Sequence, residues 1–437
     1  MLDYKIRKTD GDTTWFMQDR FGMFIHFGLY SMPSRHEWVK SVEKISEEQY
    51  DKYFKYFNPD KFDAKEWAQK AKAAGMKYAV MTAKHHEGFC LFDSAYTEYK
   101  STNTPAKRDF IKEYVEAFRE AGLKVGIYYS LIDWHHPEYQ IDFFHPRRAE
   151  ENAYEMNQSR DMNKYKEYLH NQVRELMTNY GKIDIIWFDF TYPSLESVRN
   201  EYNKFALPDY KEWMPWTTSE TWDAKGLIEM IRSINPDIII NNRTGINQDI
   251  TTPEQAFNSN WPKFPGTDEL WAWEACHTFS GSWGYYRDEM SWKTPEMLIR
   301  VLLNSVSCGG NLIMNVGPTS RGNFDNRADE ALEVFGQWIS DNARSVYGCT
   351  KALPEYIAPP GTLLTQSNDG KRLYIHLIDY PFAALKMENI ADKIDYAQFL
   401  HDGSEIQYRE KEDNSVSILI PALKPNKIVP VVELFLK

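Results

Sequence analysis

Between about residue 20 and residue 345, short apolar runs alternate with amphipathic stretches of helical period. Two of these stretches carry helix signals at both ends: "KFDAKEWAQKAKAAGM" opens on a capping Asp and closes at Gly75, and "KRDFIKEYVEAFREAGLK" closes at Gly122. Nearly continuous apolar strands, each followed by a helix, favour a parallel sheet buried on both faces. The predicted strands are "GMFIHFG", "KYAVMTAKHH", "KVGIYYSLIDW", "IDIIWFDF", "DIIINNR" and "NLIMNVGP".

We expect this sheet to close on itself, so the predicted fold class is α/β, an irregular (β/α)8-like barrel of the TIM-barrel type over residues 1–345. No GxGxxG follows a strand, which argues against an open dinucleotide-binding sheet. After residue 350 the pattern changes to short alternating segments such as "KRLYIHLIDY" and "SVSILIPAL", split by Gly, Pro, Asn and Asp. This alternation predicts a small C-terminal β-sandwich over residues 350–437.

Composition narrows the class of protein. The 437 residues carry a net charge of −12 without a long Lys/Arg cluster, so we expect neither a nucleic-acid nor a membrane partner. No apolar run reaches the roughly 18 residues that span a bilayer, and the first residues are charged where a secretory signal is apolar, so a cytoplasmic location is expected. The four cysteines form no CxxC pair and are expected to be reduced. The 14 Trp and 27 Tyr suit sugar faces as well as a packed core.

Ionisable and aromatic residues collect where the predicted strands end. The carboxyl ends of barrel strands form the catalytic face, so these residues are expected to converge. A lone His or Asp at a strand end is usually a cap or a surface group, but here five strands end in this way. In strand order the residues are His26, Glu37 and Trp38; His85, His86 and Glu87; Tyr128, Tyr129, Asp133 and Trp134; Trp187 and Asp189; and Asn241, Asn242 and Arg243.

Asp189 is the sharpest single candidate, because it follows the apolar run "IDIIWF" and a buried carboxylate without a task is costly. A structural ion pair with Arg243 remains open as an alternative role for this carboxylate, and a metal site at the neighbouring histidines is a separate alternative. Consecutive strand residues point to opposite faces, so His85 and His86 are not expected to bind one metal together, and no HxH or HExxH accompanies them.

Seven sequence blocks are specific enough to compare with known families. They are "RFGMFIHFGLYSMPSRHEWV", "HHEGFCLFDSAYTEY", "GLKVGIYYSLIDW", "IIWFDF", "NNRTGINQDITTPEQ", "WEACHTFSGSWGYYRDE" and "LLNSVSCGGNLIMNVGPTSRG". In this order they resemble the motifs of the family-29 glycoside hydrolases, the α-L-fucosidases. The resemblance implies a (β/α)8-like barrel with a C-terminal β-sandwich. It also implies retaining, exo-acting release of α-linked L-fucose from fucosylated oligosaccharides or glycoconjugates, without a metal or organic cofactor.

The resemblance also implies roles for single residues. Asp189 would be the nucleophile, with Trp187 beside the sugar and Trp283 against the fucose methyl group. The proton donor stays open between Glu254 in "TTPEQ" and Glu274 in "WEACHT"; Glu254 is preferred, and whichever acts should have a raised pKa. The implied fucose-binding set is His26, Glu37, Trp38, His85, His86, Tyr129 and Arg243.

Three further functions stay open from the sequence alone. They are a metal-dependent hydrolase that uses His85, His86, His135 and His136, a non-catalytic fucose-binding protein on the same scaffold, and a glycosidase for a neighbouring sugar such as a β-galactoside. The chain is compatible with a homo-oligomer. Phe190 stands where the family often has Gly, and the aromatic-rich segment over residues 191–222 is predicted to overhang the pocket.

Overall fold

The computed structural model describes residues 2–192, 196–197, 211 and 213–437. Eight parallel strands follow one another along the chain: β1 (Phe21–Ile25), β2 (Tyr78–Lys84), β3 (Lys124–Ser130), β4 (Ile185–Asp189), β5 (Ile239–Ile240), β6 (Ile250–Thr251), β7 (Ala272–Thr278) and β8 (Asn311–Val316). They form one sheet in the order β5-β4-β3-β2-β1-β8-β7-β6, and a parallel bridge between Asn241 and Ile250 joins its two ends. The sheet is therefore a nearly closed barrel, and the predicted fold class is confirmed.

Helices pack around this barrel, and their ends follow the sequence signals. Asp63 and Asp109 accept hydrogen bonds from backbone N–H groups in the first turns of their helices. Gly75 and Gly122 follow the same two helices with φ of +89° and +83°, a conformation that favours glycine. No helix in the described ranges is long and apolar enough to cross a membrane. The helices are α1 (Thr13–Asp19), α2 (Val39–Val42), α3 (Glu47–Tyr56), α4 (Ala64–Ala73), α5 (Phe110–Glu120), α6 (Ala153–Gln158), α7 (Met162–Asn179), α8 (Ala224–Ile234), α9 (Pro295–Ser307) and α10 (Asn326–Asn342).

Strand β7 did not stand out in the sequence pattern. Its sequence, "AWEACHT", mixes Glu, His and Thr with apolar residues, yet all seven residues are buried. The polar groups are tolerated because they find partners: Glu274, for example, accepts a hydrogen bond from the Tyr78 hydroxyl group at the start of β2. Hydrophobic pattern alone therefore missed a strand that carries polar residues into the barrel.

The two faces of the barrel strands form two separate cores. Alternate side chains point inward, and Phe24, Tyr128 and Trp187 pack together inside the barrel. The residues between them, such as Tyr129 and Phe188, face the surrounding helices. This alternation decides which residue of each strand end can reach a site at the mouth of the barrel.

The C-terminal strands form two antiparallel sheets that pack as a sandwich. Its sheets have the orders β13-β16-β11-β10-β9 and β12-β15-β14. The strands are β9 (Cys349–Lys351), β10 (Thr362–Ser367), β11 (Arg372–Leu377), β12 (Ala384–Glu388), β13 (Ile394–Phe399), β14 (Tyr408–Glu410), β15 (Ser415–Leu419) and β16 (Val431–Leu436). The sandwich contacts the barrel domain through Trp338 Nε1, which donates to the Val429 carbonyl (3.2 Å), and through an ion pair between Arg344 and Glu433 (2.9 Å).

Candidate active site

A cavity of about 710 Å³ opens at the carboxyl ends of the barrel strands. Its inner end is formed by Phe24, Tyr128 and Trp187, which belong to the packed barrel interior. Most of the residues that the sequence predicted for the site line this cavity: His26, Glu37, Trp38, His85, His86, Trp187, Asp189, Arg243, Glu254 and Trp283. Five strand ends and the loops after them therefore converge as the barrel geometry requires.

Two carboxylates share one guanidinium nitrogen in this cavity. Arg243 Nη1 lies 2.8 Å from Asp189 Oδ1 and 3.3 Å from Glu254 Oε2. The two oxygens are therefore within about 6 Å of each other, close to the roughly 5 to 5.5 Å of retaining glycosidases and short of the roughly 6.5 to 9.5 Å of inverting ones. The ion pair between Asp189 and Arg243, considered above as a structural alternative, exists, but it lies inside the cavity.

Asp189 is held from three sides. The Tyr128 hydroxyl group donates to Oδ2 (3.0 Å), while Arg243 and the Phe190 backbone N–H (3.1 Å) donate to Oδ1. Phe190 adopts φ +73°, which is unusual for a bulky residue. Burial raises the pKa of Asp189, while the charge of Arg243 and the Tyr128 hydrogen bond lower it. The carboxylate is thus fixed in orientation before any ligand arrives.

Glu254 differs from Asp189 in exposure. Its side chain is 42% exposed, against 13% for Asp189. Arg243, which lies between the two, stacks on the Trp187 ring at 4.5 Å and also donates to the Thr252 carbonyl (2.9 Å). One carboxyl group is consequently fixed and largely buried, and the other is open to solvent at the mouth, where it can exchange protons with water.

Hydrogen bonding assigns the tautomers of two cavity histidines. Asn315 donates its Nδ2 to the Trp283 carbonyl (2.7 Å), so its Oδ1 accepts from His26 Nδ1 at 2.6 Å. The Ser130 hydroxyl group donates to the Ile132 carbonyl (2.8 Å), so its oxygen accepts from His86 Nδ1, also at 2.8 Å.

Both of these histidines are neutral, because burial lowers the pKa of His26 and of His86 well below the ordinary value. With the proton on Nδ1, the nitrogen left for a ligand is an Nε2 with a free lone pair. Each ring can therefore accept a hydrogen bond from a ligand hydroxyl group.

Glu37 fixes an aromatic wall of the cavity. Its Oε2 accepts hydrogen bonds from the backbone N–H groups of Trp283 (3.1 Å) and Gly284 (2.7 Å). The Trp283 ring then lies 5.1 Å from His26 and 5.9 Å from Phe24, measured between ring centroids. This wall places an apolar face beside hydrogen-bond acceptors. A deoxy-sugar has the complementary surface, with apolar groups beside hydroxyl donors.

Comparisons with known proteins identify the family of this chain. A family model described as alpha-L-fucosidase matches residues 4–344. The chain belongs to the alpha-L-fucosidase family. It is 41% identical to the structure of alpha-L-fucosidase isoenzyme 1 from Paenibacillus thiaminolyticus, with a TM-score of 0.86 over 97% of this chain and 98% of that one. It is also 28% identical to the plasma alpha-L-fucosidase of Homo sapiens, over 94% of this chain and 86% of the human protein.

The solved structure of another related alpha-L-fucosidase bears on the reaction mechanism. It is a family-29 alpha-L-fucosidase from Bacteroides thetaiotaomicron, 27% identical, with a TM-score of 0.81 over all of this chain and 99% of that one. That structure is described as a trapped covalent intermediate in complex with 2-fluoro-fucosyl fluoride. A covalent intermediate is the hallmark of a retaining glycosidase.

One sequence prediction about a single site residue is wrong. Tyr129 does not line the cavity: its hydroxyl group donates to Gln172 Oε1 (2.8 Å) on α7, outside the barrel. The inward residue of β3 is its neighbour Tyr128, which lies opposite Trp187 in the strand register. Side chains alternate between the two faces of a strand, so only one of the two tyrosines points into the barrel. The sequence alone does not show which one.

Glu274 is the proton-donor candidate that the sequence left open beside the preferred Glu254. It lies in β7 inside the barrel, where its oxygens accept from Tyr78 (2.5 Å) and from Trp187 Nε1 (3.4 Å), and it does not line the cavity. Burial raises its pKa to about 7, against the smaller opposing effect of those hydrogen bonds. A raised pKa therefore does not by itself mark a cavity residue, because this buried acid shows one without lining the cavity.

The side chains of His85 and His86 are arranged differently from what strand alternation predicts. Both line the cavity, with ring centroids 3.8 Å apart. They can do so because β2 ends at Lys84, so the alternation of strand residues no longer applies to them. Both histidines therefore lie in the cavity, as the sequence predicted. The expectation that they point to opposite faces is wrong, because it assumed that the strand continues through them.

Several site residues were not predicted from the sequence. Cys276 lines the cavity, and Asn315 and Ser130 orient its histidines. The signal for Asn315 was present, since it is a polar residue at the end of a buried strand. The predicted overhang of residues 191–222 lies largely outside the described residues; of that segment, Thr191, Tyr192 and Ser197 line the cavity.

Proposed function

We propose that this chain is a retaining, exo-acting α-L-fucosidase in which Asp189 is the nucleophile and Glu254 is the acid/base. The observation that carries the proposal is the pair of carboxylates on one Arg243 nitrogen, whose oxygens are at most about 6 Å apart and so closer together than in inverting enzymes. Exo action is supported by the cavity, which ends on the packed barrel interior. A sugar at the end of a glycan fits such a site, and an internal one does not.

In the first step, an Asp189 oxygen attacks the anomeric carbon and the glycosidic C–O bond breaks. Glu254 donates its proton to the departing oxygen, which leaves as the hydroxyl group of the aglycone. The product on the protein is a β-fucosyl ester of Asp189. Arg243 and the Tyr128 hydroxyl group hold the attacking carboxylate in place.

In the second step, Glu254, now a carboxylate, takes a proton from water while the water oxygen attacks the anomeric carbon. The ester C–O bond breaks and its electron pair returns to the Asp189 carboxylate. Two inversions leave L-fucose in the α-configuration, and Glu254 is again protonated. Its exposure at the mouth gives it direct access to the water that this step needs.

Recognition follows from the walls of the cavity. The neutral rings of His26 and His86 accept hydrogen bonds from sugar hydroxyl groups, and Arg243 donates. Trp283 and Phe24 offer an apolar surface for the methyl group that distinguishes a 6-deoxy sugar. We propose a fucosylated oligosaccharide or glycoconjugate as the partner, and this methyl contact favours a fucoside over a galactoside.

The residues of the metal-hydrolase alternative do not converge. His135 bonds to Glu47 (3.0 Å) and stacks on Tyr99, and His136 packs against Tyr168, while only His85 and His86 line the cavity. The described part of the chain contains no group of three or more His, Cys, Asp or Glu residues that could hold a metal ion. The non-catalytic alternative has no observation in its favour, because both carboxylates are present in the cavity.

The test is Asp189→Gly with an aryl α-L-fucoside. We expect turnover to fall by more than about a thousand-fold, because the nucleophile is lost, and azide to restore it by forming β-L-fucosyl azide. Glu254→Ala should keep fast turnover only for a good leaving group, and azide should rescue it to the α-azide. Glu274→Gln is the matched carboxyl variant and should show neither azide rescue nor leaving-group dependence. Azide rescue of Glu274→Gln instead of Glu254→Ala would contradict the assignment.

A further inference from the structure

The carboxylate of Glu87 is buried without a donor. Its side chain is 1% exposed, and within the described residues neither oxygen accepts a hydrogen bond. Burying a carboxylate without a hydrogen-bond donor destabilises the folded protein unless a nearby group compensates its charge. A titratable group faces it: His85 Nδ1 lies 3.5 Å from Glu87 Oε2 and is itself buried and without a hydrogen-bond partner in the described residues.

The chain makes room for this carboxylate. A Cβ atom on Gly28 would lie 2.8 Å from Glu87 Oε1 and 2.7 Å from a ring carbon of Tyr30, so only glycine fits there. On the other side, Gly88 takes φ +84°, and a Cβ atom on it would lie 2.2 Å from Asp133 Oδ1. The two glycines permit the turn that directs Glu87 inward, toward His85, instead of out to solvent.

His85 completes a pattern seen in the other cavity histidines. His26 and His86 each hold Nδ1 against a side chain behind the cavity, Asn315 at 2.6 Å and Ser130 at 2.8 Å. His85 lines the same cavity, and the group behind its Nδ1 is Glu87.

We infer that Glu87 is the positioning residue of His85: its carboxylate holds the proton on Nδ1, so that Nε2 faces a sugar hydroxyl group as an acceptor. This inference rests on the proposed function, because it names what the third histidine does for the sugar. All three histidines then accept, so the ligand must present several hydroxyl donors to one wall. Among these three histidines, His85 is the one whose Nδ1 faces a carboxyl group, since Asn315 and Ser130 are neutral.

The experiment compares Glu87→Leu and Glu87→Gln with the parent protein. Glu87→Leu removes the acceptor at similar volume, and Glu87→Gln keeps an oxygen but no charge. We expect the affinity for L-fucose, measured by calorimetry, and kcat/KM to fall by about 10- to 100-fold in Glu87→Leu, by analogy with the loss of partners behind metal-binding histidines, and by less in Glu87→Gln. Glu433→Gln is the control, because Glu433 is an equally buried carboxyl group in the sandwich.

The decisive readout is the tautomer of His85, which a merely structural role would not change. In protein labelled with ¹⁵N-histidine, the His85 signals are identified by their loss in His85→Asn. We expect Nδ1 to be protonated in the parent and in Glu433→Gln, and the proton to move to Nε2 in Glu87→Leu. This readout needs no turnover, so it stands apart from the Asp189 test of the proposed function.

An unchanged His85 tautomer in Glu87→Leu would overturn the inference, even if affinity fell. Unchanged affinity for L-fucose in both variants would overturn it as well. If Glu87→Leu does not fold, Glu87→Gln decides: a mixture of tautomers with weakened L-fucose binding supports the inference, and a parent-like tautomer with parent-like binding rejects it.

Discussion

Replacing Tyr128 by Phe removes the hydroxyl group that donates to Asp189 Oδ2 over 3.0 Å. Burial already raises the pKa of Asp189, and this hydrogen bond is one of the groups that oppose the rise. Its loss therefore raises the pKa further. Because Asp189 must be ionised to attack, the acidic limb of the kcat/KM profile should move to higher pH.

The size of the effect follows from the type of bond. A hydrogen bond to a charged group contributes about 1.5 to 3 kcal/mol, and about 1.4 kcal/mol corresponds to a factor of ten. On the acidic side of the profile, kcat/KM should thus fall roughly ten-fold or more, while the plateau changes less. Arg243 remains as a donor to Asp189, which limits the loss.

The neighbouring tyrosine supplies a matched control for this prediction. Tyr129→Phe also removes one buried hydroxyl group, but that group bonds to Gln172 outside the barrel. It should lower stability by about 0.5 to 1.5 kcal/mol and leave the pH profile of kcat/KM in place. The assay is hydrolysis of an aryl α-L-fucoside across pH. A shift of the acidic limb in Tyr129→Phe, or none in Tyr128→Phe, would refute the reasoning.

Substitutions at three other residues test separate parts of the structure. Burial raises the pKa of Glu274 from an ordinary 4.5 to about 7 in the folded protein, so this group should cost the parent about 3 kcal/mol of stability as pH rises from 4.5 to 7. Glu274→Gln should not show this loss. Thermal melts of both proteins at pH 5 and pH 8 check this, and an equal change of melting temperature in the two would contradict it. Phe190→Gly relieves a left-handed backbone conformation that costs about 1 to 2 kcal/mol, but it loses aromatic contacts worth about 0.5 to 1.5 kcal/mol each. Phe190→Ala loses the same contacts and keeps the strain. The melting temperature should therefore fall from the parent to Phe190→Gly to Phe190→Ala, and a higher value for Phe190→Ala than for Phe190→Gly would contradict this. Asn315→Leu removes the acceptor of His26 Nδ1 and should weaken L-fucose binding about 10- to 100-fold in calorimetry, with unchanged binding as the contrary result.

The strands and helices of the barrel were predictable where burial alone decides the sequence. "IDIIWFDF" predicted β4 and its terminal Asp189, because a strand covered on both faces must be apolar until it reaches the open end. β7 was not predictable in this way. Its Glu274 and His277 are balanced by partners from other parts of the chain, and such long-range pairing leaves no local periodicity.

The site was predictable as a set of strand ends but not as a geometry. Asp189 and Arg243 could be named from their positions after apolar runs, and both line the cavity. The choice between Tyr128 and Tyr129 required the register of β3 against β4, and the placement of Glu274 required the closed barrel. The local sequence pattern indicates which residue types gather at the mouth of the barrel. The alternation of side chains along each strand and the closing of the barrel decide which of these residues face the cavity.

The central claim is that Asp189 forms a covalent bond with the sugar. The direct measurement is to incubate the protein with 2-fluoro-fucosyl fluoride, digest it, and locate the added fluoro-fucosyl group by mass spectrometry of the peptides. The account predicts a single label on Asp189, absent from Asp189→Gly and slow to leave Glu254→Ala. A label on Glu254 or Glu274 instead, or none at all from a protein that hydrolyses aryl α-L-fucosides to α-L-fucose, would contradict it.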